Sequence, residues 1–132
     1  MTIVAAAYRL TDAVLLQRLE GLAALGLGVA AYAWLGQSWW MFALLFLAPD
    51  LAMLGYLRSI AAGTFTYNLA HTYVTPVLLA LLGLAVGPLG FGLAAIWIAH
   101  IGADRLLGYG LKLSGGFDQT HLGPIGKARR RH

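Results

Sequence analysis

The sequence predicts an all-α polytopic membrane protein, an antiparallel four-helix transmembrane bundle with both termini cytoplasmic, and three observations carry that expectation. Composition is the first: 60% of the 132 residues are hydrophobic and 11% are charged, against about 45–50% apolar and about 25% charged in soluble domains. The second is segmentation. A span needs roughly 20 mainly apolar residues, and the chain divides into four such stretches, about Ala13–Leu35, Trp39–Leu57, Gly63–Val86 and Leu89–Leu111. The third is charge placement: Arg9, Arg58, Lys112, Lys127, Arg129, Arg130 and Arg131 gather at one end of such a bundle, and the opposite hairpins carry none. By the positive-inside rule that end is cytoplasmic.

The same composition excludes function classes. A mean hydropathy of +0.75 is too high for a water-soluble enzyme or a disordered segment. Without cysteine, thiolate metal sites, disulfide scaffolds and cysteine nucleophiles drop out. No GxxxxGK[ST] and no strand-borne GxGxxG is present, so phosphate-cradling loops drop out too. The net charge of +4 is explained by Lys127-Ala128-Arg129-Arg130-Arg131. That run is a topology signal attracting anionic lipid headgroups of the bilayer rather than nucleic acid.

Taken in order, the first span follows Met1–Ala7, which lacks the basic region of a cleavable signal peptide. It carries the small pair Ala24 and Gly28 and ends at Gly36-Gln37-Ser38. The second opens on Trp39-Trp40 at the outer interface, contains Pro49-Asp50 and ends at Arg58-Ser59; Tyr8, Tyr56 and Tyr109 fall at the inner interface. In the third, Thr64, Asn68, His71 and Thr75 step by one helical turn each, a polar stripe with Tyr67 beside it and Pro76 beyond. After Gly87-Pro88 the fourth carries Ala95, Ala99 and Ala103, a seam for close helix packing. The transmembrane domain is thus 1–112. A cytoplasmic tail, 113–132, is basic at its end, and Gly115-Gly116 lets Phe117–Gly123 fold back over the bundle mouth, bringing Asp118 or His121.

Ionisable residues inside a span cost about 2.5–3.5 kcal/mol each on insertion scales, so each asks for a partner or a purpose. Arg18, Glu20, Asp50, Asn68, His71, His100, Asp104 and Arg105 are all inside. At 1.5 Å per residue, Glu20, Asp50, His71 and His100 come out roughly 12–17 Å deep from the cytoplasmic end, with Asp104 about a turn and a half shallower. His100 and Asp104 are i,i+4 neighbours and share a face. Arg18 and Glu20 cannot face each other, so Arg18 is expected at the interface and Glu20 in the interior; only if the polar residues form a purely structural network would Arg18 and Arg105 neutralise the carboxylates.

Several motifs carry a resemblance: Arg18-Leu19-Glu20-Gly21, Leu47-Ala48-Pro49-Asp50, Tyr67-Asn68-Leu69-Ala70-His71, Trp97 to Arg105, Gly108-Tyr109-Gly110-Leu111-Lys112 and Thr120-His121-Leu122-Gly123. Over about residues 14 to 126 the chain resembles an uncharacterised family of small bacterial four-span integral membrane proteins, domain of unknown function 4260. The resemblance implies a fold and a topology and transfers no catalytic assignment.

The leading functional reading is a divalent metal site, zinc, iron or manganese, because mixed imidazole and carboxylate ligands suit those ions. Asp50, His71 and His100 are the expected ligands, Asp104 a fourth ligand or the orienter of His100, and His121 a further candidate from the tail. Glu20 is then the expected general base, with Asn68 or Tyr67 polarising a carbonyl. A site in the cytoplasmic half of the inner membrane would act on a lipid or other apolar substrate, as a metal-dependent hydrolase. Three alternatives stand beside it: a bis-histidine haem module using His71 and His100, a proton or ion pathway subunit, which would have to act as a homo-oligomer, and a polar network that only fixes helix register. Ser38, Ser59 and Ser114 lie in loops, so no serine triad is expected.

Overall fold

The computed structural model describes residues 12–127. Tyr8 and the cations Arg9, Arg129, Arg130 and Arg131 lie outside them, as does the Met1–Ala7 segment. Among the described residues there are five α-helices, one 3-10 segment and a two-stranded hairpin: α1 (Ala13–Leu35), α2 (Trp39–Leu45), the 3-10 segment (Ala48–Leu57), α3 (Ile60–His71), α4 (Val74–Val86), α5 (Pro88–Leu107), β1 (Lys112–Leu113) and β2 (Gly116–Thr120). Three stretches, Ala13–Leu35, Trp39–Leu57 and Pro88–Leu107, are long and apolar enough to cross a membrane, and α3 with α4 makes a fourth if the bent pair is one span. Leu27, Trp34, Leu44, Leu57, Phe65 and Leu84 are exposed on the outside, as lipid-facing side chains are.

Local chemistry sets the ends. The Asp12 carboxylate accepts from the N–H groups of Val14 and Leu15 at 3.0 and 3.1 Å, an N-cap for α1. Pro88 occupies the first turn of α5, where its missing N–H costs nothing. Ser59 caps α3 through the Ala62 N–H at 3.0 Å.

Two of the four expected spans are not straight helices. The second changes from α2 to 3-10 geometry as Pro49 enters its first turn, since proline cannot donate the i→i−4 bond. The third bends by 53° between α3 and α4. Thr72 is extended there and Pro76 follows in the first turn of α4. A break inside a bilayer survives only if its carbonyls find donors, and here those of Leu69, Ala70 and His71 do. Thr75 Oγ1 donates to the Leu69 carbonyl, Trp97 Nε1 to Ala70 at 2.8 Å and Arg105 Nη2 to His71 at 3.1 Å.

The packing follows from where backbones approach. α1 lies along α5 with α4 on the same helix, while α3 packs against the 3-10 segment. A Cβ on Gly28 would stand 2.7 Å from the Ala95 carbonyl, and one on Gly21 2.5 Å from Arg105 Cβ. The seam therefore runs through Gly21 and Gly28 against Ala95, Ala99 and Gly102, with Gly102 in place of the expected Ala103. Tyr32, Ala95 and Ile96 form the buried core at the far end, covered by Met41, Phe42 and Leu45.

The two intramembrane arginines cap helices instead of neutralising carboxylates. Arg18 Nε donates to the Leu106 carbonyl at 2.8 Å at the end of α5, and Arg105 holds the end of α3. The tail does fold back. β1 and β2 pair antiparallel with Lys112 opposite Thr120, and Asn68 locks the hairpin down: its amide donates to the Lys112 carbonyl at 2.8 Å and accepts from the Lys112 N–H at 2.6 Å.

Candidate metal centre

Three segments deliver four side chains to one point. Asp50 stands in the first turn of the 3-10 segment, His71 is the last residue of α3, and His100 and Asp104 sit one turn apart on α5. His71 Nε2 is 3.1 Å from Asp50 Oδ1 and 3.5 Å from Asp104 Oδ2. His100 Nε2 is 3.2 and 3.3 Å from the same two oxygens. The two Nε2 atoms are 3.3 Å apart, and one ligand atom from each residue lies within 4.8 Å of all the others.

A tetrahedral ion with ligands at 2.0–2.1 Å has ligand–ligand edges of about 3.3–3.4 Å. Five of the six edges, 3.1 to 3.5 Å, lie close to that figure, and the sixth, between the two carboxylate oxygens, is within 4.8 Å. The Asp50, His71, His100 and Asp104 group can hold a metal ion.

What surrounds the imidazoles prepares them for ligation. His71 Nδ1 lies 2.8 Å from the Tyr67 carbonyl, an acceptor, so Nδ1 carries the proton and Nε2 offers its lone pair to the centre. The Tyr67 ring stacks on the His71 ring at 3.7 Å and 7° and fixes its plane. His100 is held by packing: Phe46 meets it edge-on at 5.4 Å, and its buried Nδ1 has no partner among the described residues.

The centre has a closed and an open side. Both histidine side chains are 2% exposed, whereas Asp50 is 32% and Asp104 20% exposed. The two carboxylates line a cavity of about 380 Å³ whose other walls include Met53, Tyr67, Tyr109, Lys112 and Phe117. That volume is within the range of small-molecule sites.

The other expected site residues are placed elsewhere. Glu20 is exposed on α1 and does not join the group, because equal depth on a helix does not fix which way a residue faces. Asn68 has both amide atoms on the Lys112 backbone. His121 is exposed, with Nδ1 accepting from the Leu111 N–H at 2.8 Å. Partial burial of its ring, together with Arg105 nearby, holds its pKa below the ordinary value. A porphyrin does not fit between His71 and His100: axial ligands stand on opposite faces of the ring, and here carboxylates occupy the space that the ring would need.

Sequence reasoning missed Lys112, read there as a topology marker. It is 4% exposed, and its Nζ stands 3.8 Å from the Phe117 ring centroid and 4.8 Å from that of Tyr67. The nearest sequence signal is Asn68, a polar residue on the stripe whose amide turns out to hold the Lys112 backbone rather than a substrate carbonyl.

No curated protein and no solved structure was found to match the chain. A family profile matches residues 14–125, which include all four residues of the centre. The chain belongs to the family described as Domain of unknown function (DUF4260).

Proposed function

We propose that this protein is an integral membrane protein, with both termini cytoplasmic, that binds one divalent ion at Asp50, His71, His100 and Asp104 and hydrolyses a lipid or other amphipathic ester. The observation that carries the reading is the set of near-tetrahedral edges between two imidazole nitrogens and two carboxylate oxygens. A register lock needs one or two polar groups, and four convergent ones add insertion cost without adding register.

Zinc, iron and manganese all accept this ligand set. Bound there, the ion would supply Lewis acidity to a substrate oxygen. The chain's own residues divide the remaining work. His71 and His100 form the buried floor, Tyr67 positions His71 by stacking, and the partly exposed Asp50, which would give Oδ1 to the ion, keeps its other carboxylate oxygen to take a proton from attacking water. Asp50 replaces Glu20 in that role, because Glu20 stands outside the group. The cavity mouth lies beside the tail hairpin, where an amphipathic molecule enters from the membrane surface.

The test is hydrolysis in reconstituted liposomes with a panel of long-chain acyl and phosphate esters. Cleavage that a chelator abolishes, that manganese or zinc restores and that Asp104→Asn lacks is the expected result. Metal-loaded protein that cleaves no member of the panel contradicts the hydrolytic part.

A further inference from the structure

We propose that Lys112 and the four-residue centre together bind a phosphate monoester group, the headgroup end of an amphipathic molecule or a free phosphate ester. The inference rests on the metal reading above and names the substrate class for the same cavity. Four observations carry it.

Lys112 is a buried ammonium without an ion pair among the described residues, where every close ion pair joins His71 or His100 to Asp50 or Asp104. A lysine that only marked topology would extend its stem to the membrane surface. Here the chain does the opposite. Asn68 clamps the backbone of Lys112 from both sides, and Phe117 and Tyr67 present ring faces to its Nζ. Those faces stabilise a cation without consuming it as a counter-ion would.

Position comes next. Lys112 lines the same cavity as Asp50 and Asp104, so an anion inside it meets the ammonium and the metal position together. Met53, Phe117 and Ile125 supply apolar wall for the rest of the molecule.

Charge gives the class. With neutral imidazoles, which ligation requires, and with Asp118 left to the solvent to which it is exposed, the Asp50 and Asp104 carboxylates balance Lys112 and Arg105. Arg105 is itself buried and, among the described residues, donates only to the neutral carbonyls of His71 and Tyr109. A divalent ion then leaves two positive charges in a low-dielectric site. An anion of two negative charges restores neutrality, and a phosphate monoester carries about that at neutral pH.

Metal and anion must therefore bind cooperatively, and linkage makes the effect reciprocal. The experiment uses the full chain in neutral detergent, with manganese content measured on every sample. Inorganic phosphate and dodecyl phosphate are titrated calorimetrically into manganese-loaded and metal-free protein, wild type, Lys112→Met and Lys112→Arg.

The expected result is binding to loaded wild type that weakens on the order of ten-fold or more in metal-free protein and in Lys112→Met. Lys112→Arg retains it. Phosphate should tighten manganese by the same factor. Tighter binding of dodecyl phosphate than of inorganic phosphate supports a lipid headgroup, and equal binding supports a soluble phosphate ester. Loaded wild type that binds neither anion, or Lys112→Met that holds manganese and binds both as wild type does, overturns the anion site. Protein that takes up no manganese under any condition overturns the metal reading, and this site falls with it.

Discussion

His71 and His100 aim Nε2 at Nε2 across 3.3 Å, one from the last residue of a broken helix and the other from the middle of α5. The His71 Nδ1 proton is committed to the Tyr67 carbonyl at 2.8 Å, so its lone pair points into the gap. Lone pairs and two carboxylates facing one point repel unless a metal cation, or protons on the Nε2 atoms, lie between them. The break in the third span serves this arrangement. It ends α3 at His71, and Trp97 and Arg105 then hold the freed carbonyls in place.

If the carboxylates are ligands rather than register locks, Asp104→Asn loses bound metal while the thermal midpoint of the metal-free protein stays where it was. A register lock predicts the opposite, because breaking a buried ion pair costs about 3–5 kcal/mol. Metal content and thermal unfolding on the same samples check it.

The seam between α1 and α5 has no room at Gly28, where a Cβ would meet the Ala95 carbonyl at 2.7 Å. Gly28→Val should destabilise by about 1–3 kcal/mol, the usual cost of overpacking. Gly26, with nothing within 4 Å, is the control. Gly26→Ala should cause no loss in the same unfolding assay.

Asn68 is the hinge pin of the tail. Asn68→Ala strands the N–H and carbonyl of Lys112, a cost of about 1–3 kcal/mol in a buried setting. Hydrogen exchange should rise across Lys112–Thr120 and remain unchanged in α1.

The tail should also loosen in acid. His121 accepts from the Leu111 N–H only while Nδ1 is unprotonated, and partial burial holds its pKa below the ordinary 6.5. A histidine whose pKa is lower folded than unfolded contributes stability above the unfolded value and loses it as pH falls through the folded one. The protection of the Leu111 N–H, relative to the intrinsic exchange rate at each pH, should therefore fall as pH drops below the ordinary histidine value of 6.5. His121→Gln should remove that pH dependence.

Hydropathy and turn residues made the spans legible: the expected first span coincides with α1, and the expected second covers α2 and the 3-10 segment. The kinks were not legible. Pro49 and Pro76 marked where they fall, but what makes a broken helix tolerable is donors from Trp97 and Arg105, far away in the chain. Asp50, His71 and His100 could be read from depth, and Asp104 from its i,i+4 relation to His100. Glu20 shares that depth and not that direction, since depth fixes height along a helix and leaves its rotation open. Lys112 and His121 depended on the hairpin register, which two short strands after a glycine-rich turn do not encode strongly.

The central claim is that a metal ion occupies the point on which His71, His100, Asp50 and Asp104 converge. Elemental analysis of detergent-purified protein beside a His71→Ala, His100→Ala double variant tests it most directly. About one equivalent of zinc, iron or manganese in the wild type and none in the variant is the predicted result. Wild type with no more metal than the variant would contradict it.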